Sequence, residues 1–210
     1  NVFFILEAEG GFGAKKMTRK TVGAAVWLAW AAAVDAQAAT CPIRVGFVWH
    51  MHQPIYYPYE SPIQTDAASR FSFSVVDVHN QRFGPYTTWP RDAVQAGLTL
   101  PHLGAQVSFT GSLIENLNSL EAAGVNGGTW LNWDTGYDQG VSLPTSLGNP
   151  RLDLVAFGYH HPLMPLLDEQ DIRMQIRLHK YVYGQTWNGG PAYSKGIFPA
   201  ETAFPSPMIP

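Results

Sequence analysis

The chain has 210 residues, enough for one domain with a sizeable core. A formal charge of −3 and a charged fraction of 14%, against about 25% in ordinary soluble domains, exclude a basic surface built for nucleic acid or an anionic membrane. A single cysteine, Cys41, excludes an internal disulfide framework and any multi-cysteine metal site.

Residues 1–16 carry no interpretable pattern and are expected to be an upstream segment translated in error. From Met17 the pattern changes. Thr18-Arg19-Lys20 is basic, Val22 to Val34 is nearly all apolar, and Ala36-Gln37-Ala38 fits small-residue cleavage. This predicts a secretory signal peptide over 17–39, too short in its apolar part for the roughly 20 residues of a membrane span. A secreted or periplasmic domain is then expected over 40–210.

Ile43 to Pro54 reads I-R-V-G-F-V-W-H-M-H-Q-P. The run Val45 to Trp49 is β-branched and aromatic, which predicts a buried strand stopped by Pro54. Side chains at i and i+2 of a strand point the same way. His50 and His52 therefore project together at the strand's carboxyl end, where ligands sit in parallel α/β folds. Trp49, Gln53, Tyr56, Tyr57 and Tyr59 crowd the same corner. Aromatic residues are 13% of the chain, and they serve equally as core or as flat platforms for neutral rings such as sugars.

Further on, Ile55 to Ser69 reads as loop, and Phe71 to Val78 as an element of undecided type. Trp89 to Ala96 reads as a helix with Pro90 in its first turn. Ala105 to Thr110 reads as a strand. Ser112 to Ala123 is a helix with Leu113, Leu117 and Leu120 on one face, and Gly124 stops it. Val125 to Arg151 reads as one long loop whose Trp130, Trp133, Asp134 and Tyr137 need somewhere to pack. Leu152 to Phe157 reads as a strand ending at Gly158-Tyr159-His160-His161-Pro162. Asp168 can cap a helix reaching Trp187. Ile197 and Phe198 then lead into Pro199-Ala200-Glu201. Alternating strands and helices imply a mainly parallel α/β sheet of three or four βα units, about half of an eight-unit barrel.

Three blocks, W-H-M-H-Q-P at Trp49 to Pro54, G-Y-H-H-P-L-M-P-L-L at Gly158 to Leu167 and G-I-F-P-A-E-T-A-F at Gly196 to Phe204, resemble glycoside hydrolase family 57. The resemblance implies the N-terminal part of a distorted, seven-stranded TIM-like (β/α) barrel. It implies a retaining enzyme acting on an oligo- or polysaccharide, an α-glucan, with no metal or other cofactor. Glu201 matches the family's nucleophile. His50, His52 and Gln53 match residues lining the subsite of the sugar whose bond is cut, and His161 matches the second block. The acid/base aspartate of the family lies in a later motif. No aspartate follows Glu201, and Asp134, Asp138, Asp153 and Asp168 match no acid position.

Trp49, Trp130 and Trp133 are candidate stacking platforms, with core packing as the alternative. Glu115 reads as structural, and His79 and His102 remain unassigned. Two other classes stay open. One is a metal-dependent barrel hydrolase in which His50, His52 and either His160 or His161 hold Zn²⁺. The other is a non-catalytic carbohydrate-binding protein.

Overall fold

The computed structural model describes residues 2–7 and 44–204. The signal-peptide segment, its cleavage site and Cys41 lie outside the described residues. The chain divides into two units, Phe4–Gly46 and Phe47–Pro210 with Asn1–Phe3; the candidate site residues all belong to the second. Strand β1, Val2–Glu7, forms where no pattern was expected. Its V-F-F-I-L-E run has the aromatic and β-branched content that favours strands.

The second unit is α/β. Strands β2 (Arg44–Met51), β3 (Ala105–Phe109) and β4 (Leu152–Val155) are neighbours in chain order and pair in parallel. His50 stands opposite Ser108, and Val107 opposite Leu154. A single parallel bridge between Ala156 and Ile197 continues the series. There Ala156 N–H donates to the Gly196 carbonyl at 3.2 Å, and Phe198 N–H to the Ala156 carbonyl at 2.9 Å. Four chain segments thus end side by side on one edge.

Helices α1 (Pro62–Ala67), α2 (Val75–Asn80), α3 (Phe83–Tyr86) and α4 (Trp89–Ala96) connect β2 to β3. The undecided element at Phe71 to Val78 therefore resolves as a helix. Its first turn is fixed by Asp66, whose carboxylate accepts from Val75 N–H at 2.6 Å and Val76 N–H at 3.1 Å. Helix α5 (Gly111–Ala122) begins where the Thr110 hydroxyl accepts from Leu113 N–H. It ends at Gly124, whose φ of +59° is the left-handed conformation glycine adopts without cost. Helix α8 (Glu169–Thr186) is capped by Asp168, which accepts from Asp171 N–H at 2.9 Å.

The long loop expected over Val125 to Arg151 is instead broken by a one-turn helix α6 (Val125–Gly128) and a two-turn helix α7 (Thr135–Ser142). Glycine-rich sequence hides both. Burial of Trp130, Trp133 and Tyr137, each at most 3% exposed, supplies the stability that propensity does not. With Phe109 and Trp187, the rings of Trp133 and Tyr137 form a cluster under the sheet; Phe109 lies 5.2 Å from Tyr137, and Trp133 5.5 Å from Trp187, both edge-to-face. Much of the aromatic excess is therefore core.

Strand alternation sorts the two faces. Met51, Val107, Phe109, Leu152 and Leu154 enter this core, with Leu113, Leu117 and Leu120 of α5. His50 and Ser108 alternate to the opposite face and are buried there as well. Burial on both faces is the condition of a parallel strand in an α/β protein.

Candidate active site

The carboxyl edge of the sheet collects the histidines. His50, 9% exposed, places Nδ1 2.8 Å from Ser108 Oγ on the neighbouring strand. His52, two residues on, places Nδ1 3.2 Å from Thr110 Oγ1. The i, i+2 spacing on β2 is thus matched by an i, i+2 pair of hydroxyl residues on β3. His161 comes from the turn after β4, at a φ of +62°. Its ring lies 4.9 Å from His50 and 4.4 Å from His52. Phe157 and Phe198 close the apolar side, 4.6 and 5.7 Å from His50.

Glu201 follows the fourth chain segment and approaches this group through His161, Nε2 to Oε1 at 3.8 Å. Its carboxylate is 67% exposed, so it meets solvent or a ligand rather than the core. Glu201 and Thr202 adopt φ of +51° and +56°. With His161, three non-glycine residues here hold a conformation costing about 1–3 kcal/mol each. Such strain persists only where the surrounding structure imposes it.

Gln53 reaches the edge of the group with its amide committed. Nε2 donates to the Tyr86 hydroxyl at 3.1 Å, and Oε1 accepts from the Tyr56 hydroxyl at 2.5 Å. Trp49 packs against the core. The two remaining tryptophans depart from the stacking role. Trp130 is 0% exposed and donates Nε1–H to Asn80 Oδ1; Trp133 is 3% exposed and donates to Asn118 Oδ1. Neither offers a face to a sugar, because a residue of that size contributes most when the helices close over it.

His160 and His161 separate: His160 stands against Tyr159, 4.4 Å between ring centroids, and its N–H donates to Gln175 Oε1. Only His161 joins the histidine group. Glu115 accepts from the Tyr159 hydroxyl. His79 is fully buried on α2 with Nδ1 2.7 Å from the Val75 carbonyl, and His102 is bonded to Ser146. Asp168 is spent as a helix cap, and Asp153 lies near the amino end of β4, away from the histidines.

Ser108, Thr110 and Ser112 were missed in the sequence, although the Ser-x-Thr spacing opposite His-x-His was there to be seen. These hydroxyls tie the two histidines to the neighbouring elements. Ser112 Oγ donates to the Gln53 carbonyl at 2.7 Å and lies 3.2 Å from Thr110 Oγ1. Thr110 Oγ1 is in turn 3.2 Å from His52 Nδ1, which fixes the ring's orientation and leaves Nε2 as its free edge. His50 Nε2 is buried with no partner among the described residues.

Both rings are held neutral. Burial, then the neighbouring His161 and His52, pushes His50 down to about 3. Burial and then His161 push His52 down to about 4. The unfolded chain takes up these protons from about pH 6.5, the native chain only near pH 3–4. The unfolded state therefore binds more protons within that window, and stability falls as the pH falls through it. A ¹⁵N NMR titration of the imidazoles is expected to show His50 and His52 neutral at pH 5.5; imidazolium signals from both rings at that pH would refute the burial argument.

The family model for glycosyl hydrolase family 57 matches residues 46–210, the segment that carries this edge. The chain belongs to glycosyl hydrolase family 57. A curated α-amylase of Niallia circulans is 34% identical over 164 residues, 75% of this chain. The chain spans 12% of that relative's length. No solved structure matches. The family match runs through all three blocks and includes His50, His52, His161 and Glu201. Among the described residues, no group of three or more His, Cys, Asp or Glu is arranged to hold a metal ion, and no helix is long and apolar enough to cross a membrane.

Proposed function

We propose that the protein carrying this chain is a retaining glycoside hydrolase or transglycosylase acting on α-linked glucan, with Glu201 as nucleophile. The observation that carries this is the convergence of His50, His52, His161 and Glu201 on one edge, delivered by β2, the turn after β4 and the segment beyond Ile197. Family membership and the α-amylase relative point the same way. The parallel strand order suits the opening part of a (β/α)7 barrel, whose remaining strands would close around the same edge.

In this reading a Glu201 oxygen attacks the anomeric carbon as the bond to the leaving oxygen breaks. An acid/base aspartate from the family's later motif protonates that oxygen, about 5 Å from the nucleophile. Water or a second sugar, deprotonated by the same aspartate, then attacks the glycosyl ester and releases Glu201. Neutral His50 and His52 serve as hydrogen-bonding groups rather than charges. His52 Nε2 hydrogen-bonds a sugar hydroxyl, and the Phe157 and Phe198 rings exclude water from the apolar side. The basic and apolar run over 17–39 supports secretion or a periplasmic location.

Hydrolysis of soluble α-glucan by the whole gene product, with and without chelator, tests the reading. Reducing sugar release is expected to survive chelation, and the first product to keep the α-anomeric configuration. Loss on chelation with recovery on adding zinc would transfer the reaction to a metal held by His50 and His52.

A further inference from the structure

A concavity lies next along the chain to the histidine group. A groove of about 800 Å³ runs between the loop after β2 and helices α5 and α8. Tyr59, Tyr159 and Tyr181 line it, with Asn116, Ser119 and His160 between them. It adjoins the candidate active site twice along the chain. Pro54 of the groove follows Gln53, and His160 precedes His161.

Tyr59 is the feature that requires an explanation. Glu60 N–H donates to the Tyr57 carbonyl at 3.1 Å, closing a turn with Pro58 second and Tyr59 third. Tyr59 has a φ of +65°. That turn position belongs to Gly or Asn, because a side chain there meets the backbone. A tyrosine instead occupies it and is fully exposed, at 103%. The folded chain gains neither backbone comfort nor burial from this ring. Tyr181, 65% exposed on α8, also turns an aromatic ring to solvent along the same groove.

The electrostatics narrow the occupant. No Lys or Arg lines the groove. Its two carboxylates are already partnered, Glu60 by Arg70 at 2.6 Å and Glu115 by the Tyr159 hydroxyl. Exposed aromatic faces among neutral hydrogen-bonding groups suit a ligand with flat apolar faces and a rim of hydroxyls, which is a sugar ring. We infer that this groove is a second carbohydrate-binding site, taking a short run of glucan beside the reacting edge. The choice of glucan rests on the reading above; the fit to a neutral sugar chain rests on the groove alone.

Maltoheptaose titrations of the whole protein test it, in a His50→Ala/His52→Ala background that weakens the reacting edge. Tyrosine ring resonances of Tyr59 and Tyr181 are expected to shift on addition. Tyr59→Gly restores the residue the turn prefers, so its thermal midpoint should hold or rise. Its affinity for maltoheptaose should nonetheless fall about threefold to tenfold, as should that of Tyr181→Ala. Unchanged affinity in both variants, or ring shifts confined to His161 and its neighbours, overturns the site. Groove binding by a protein that hydrolyses no glucan would overturn the proposed reaction and leave the groove standing.

Discussion

Glu201→Gln in the whole protein is expected to lower kcat on soluble α-glucan by at least about a thousandfold, with KM nearly unchanged. The amide has almost the shape of the carboxylate but cannot attack a carbon or carry the ester. Because the side chain is 67% exposed and approaches His161 only to 3.8 Å, little folding energy rides on it. Stability should stay within about 0.5 kcal/mol, the usual range for surface changes. The pairing of those two outcomes is what identifies a nucleophile. A structural glutamate would lose activity only with stability, and a bystander would lose neither. Substituting His52 by Gln, which retains an acceptor, should be milder and should act on kcat and KM together. It alters how the sugar is held, not the bond that forms.

The sequence made the strand ends legible because their signals are local. Val45 to Trp49 and Leu152 to Phe157 are largely apolar, Ala105 to Thr110 alternates through Val107 and Phe109, each is followed by a Pro or Gly, and each carries a strand. The caps were equally local. Asp168 and Gly124 perform the roles their side chain or backbone freedom suggests. What stayed hidden depends on partners distant in sequence. That His161 rather than His160 meets His50 follows from a left-handed residue in one turn, and no periodicity announces it. The contacts that link His52 through Thr110 and Ser112 to the Gln53 carbonyl run across two strands and a helix start. Helix α7 carries two glycines and forms because Tyr137 has a core to enter, with its hydroxyl donating to the Tyr86 carbonyl at 2.8 Å. Aromatic residues were the most ambiguous letters, since burial and stacking select the same side chains.

Trp130 turns that ambiguity into the second large effect. Trp130→Ala is expected to cost about 3–5 kcal/mol, a large part of the 5–15 kcal/mol that holds an ordinary domain folded. The ring is 0% exposed, meets Phe83 edge-on at 5.0 Å, and is the donor for Asn80 Oδ1 at 3.0 Å. Truncation opens a cavity and also leaves the half-buried Asn80 carbonyl without its donor. Trp130→Phe separates the two losses. It keeps most of the volume and removes only the hydrogen bond, so about 0.5–1.5 kcal/mol should remain. Urea titration of the three proteins measures both steps. A stacking platform would behave in the opposite way, losing glucan affinity while the unfolding midpoint stood still. The same substitution at Tyr59, where the ring is exposed and the backbone strained, should show that opposite pattern. The two aromatics thus bracket the uses to which this chain puts its excess of rings: one closes the helices over the sheet, the other is held out to solvent at a cost to its own turn.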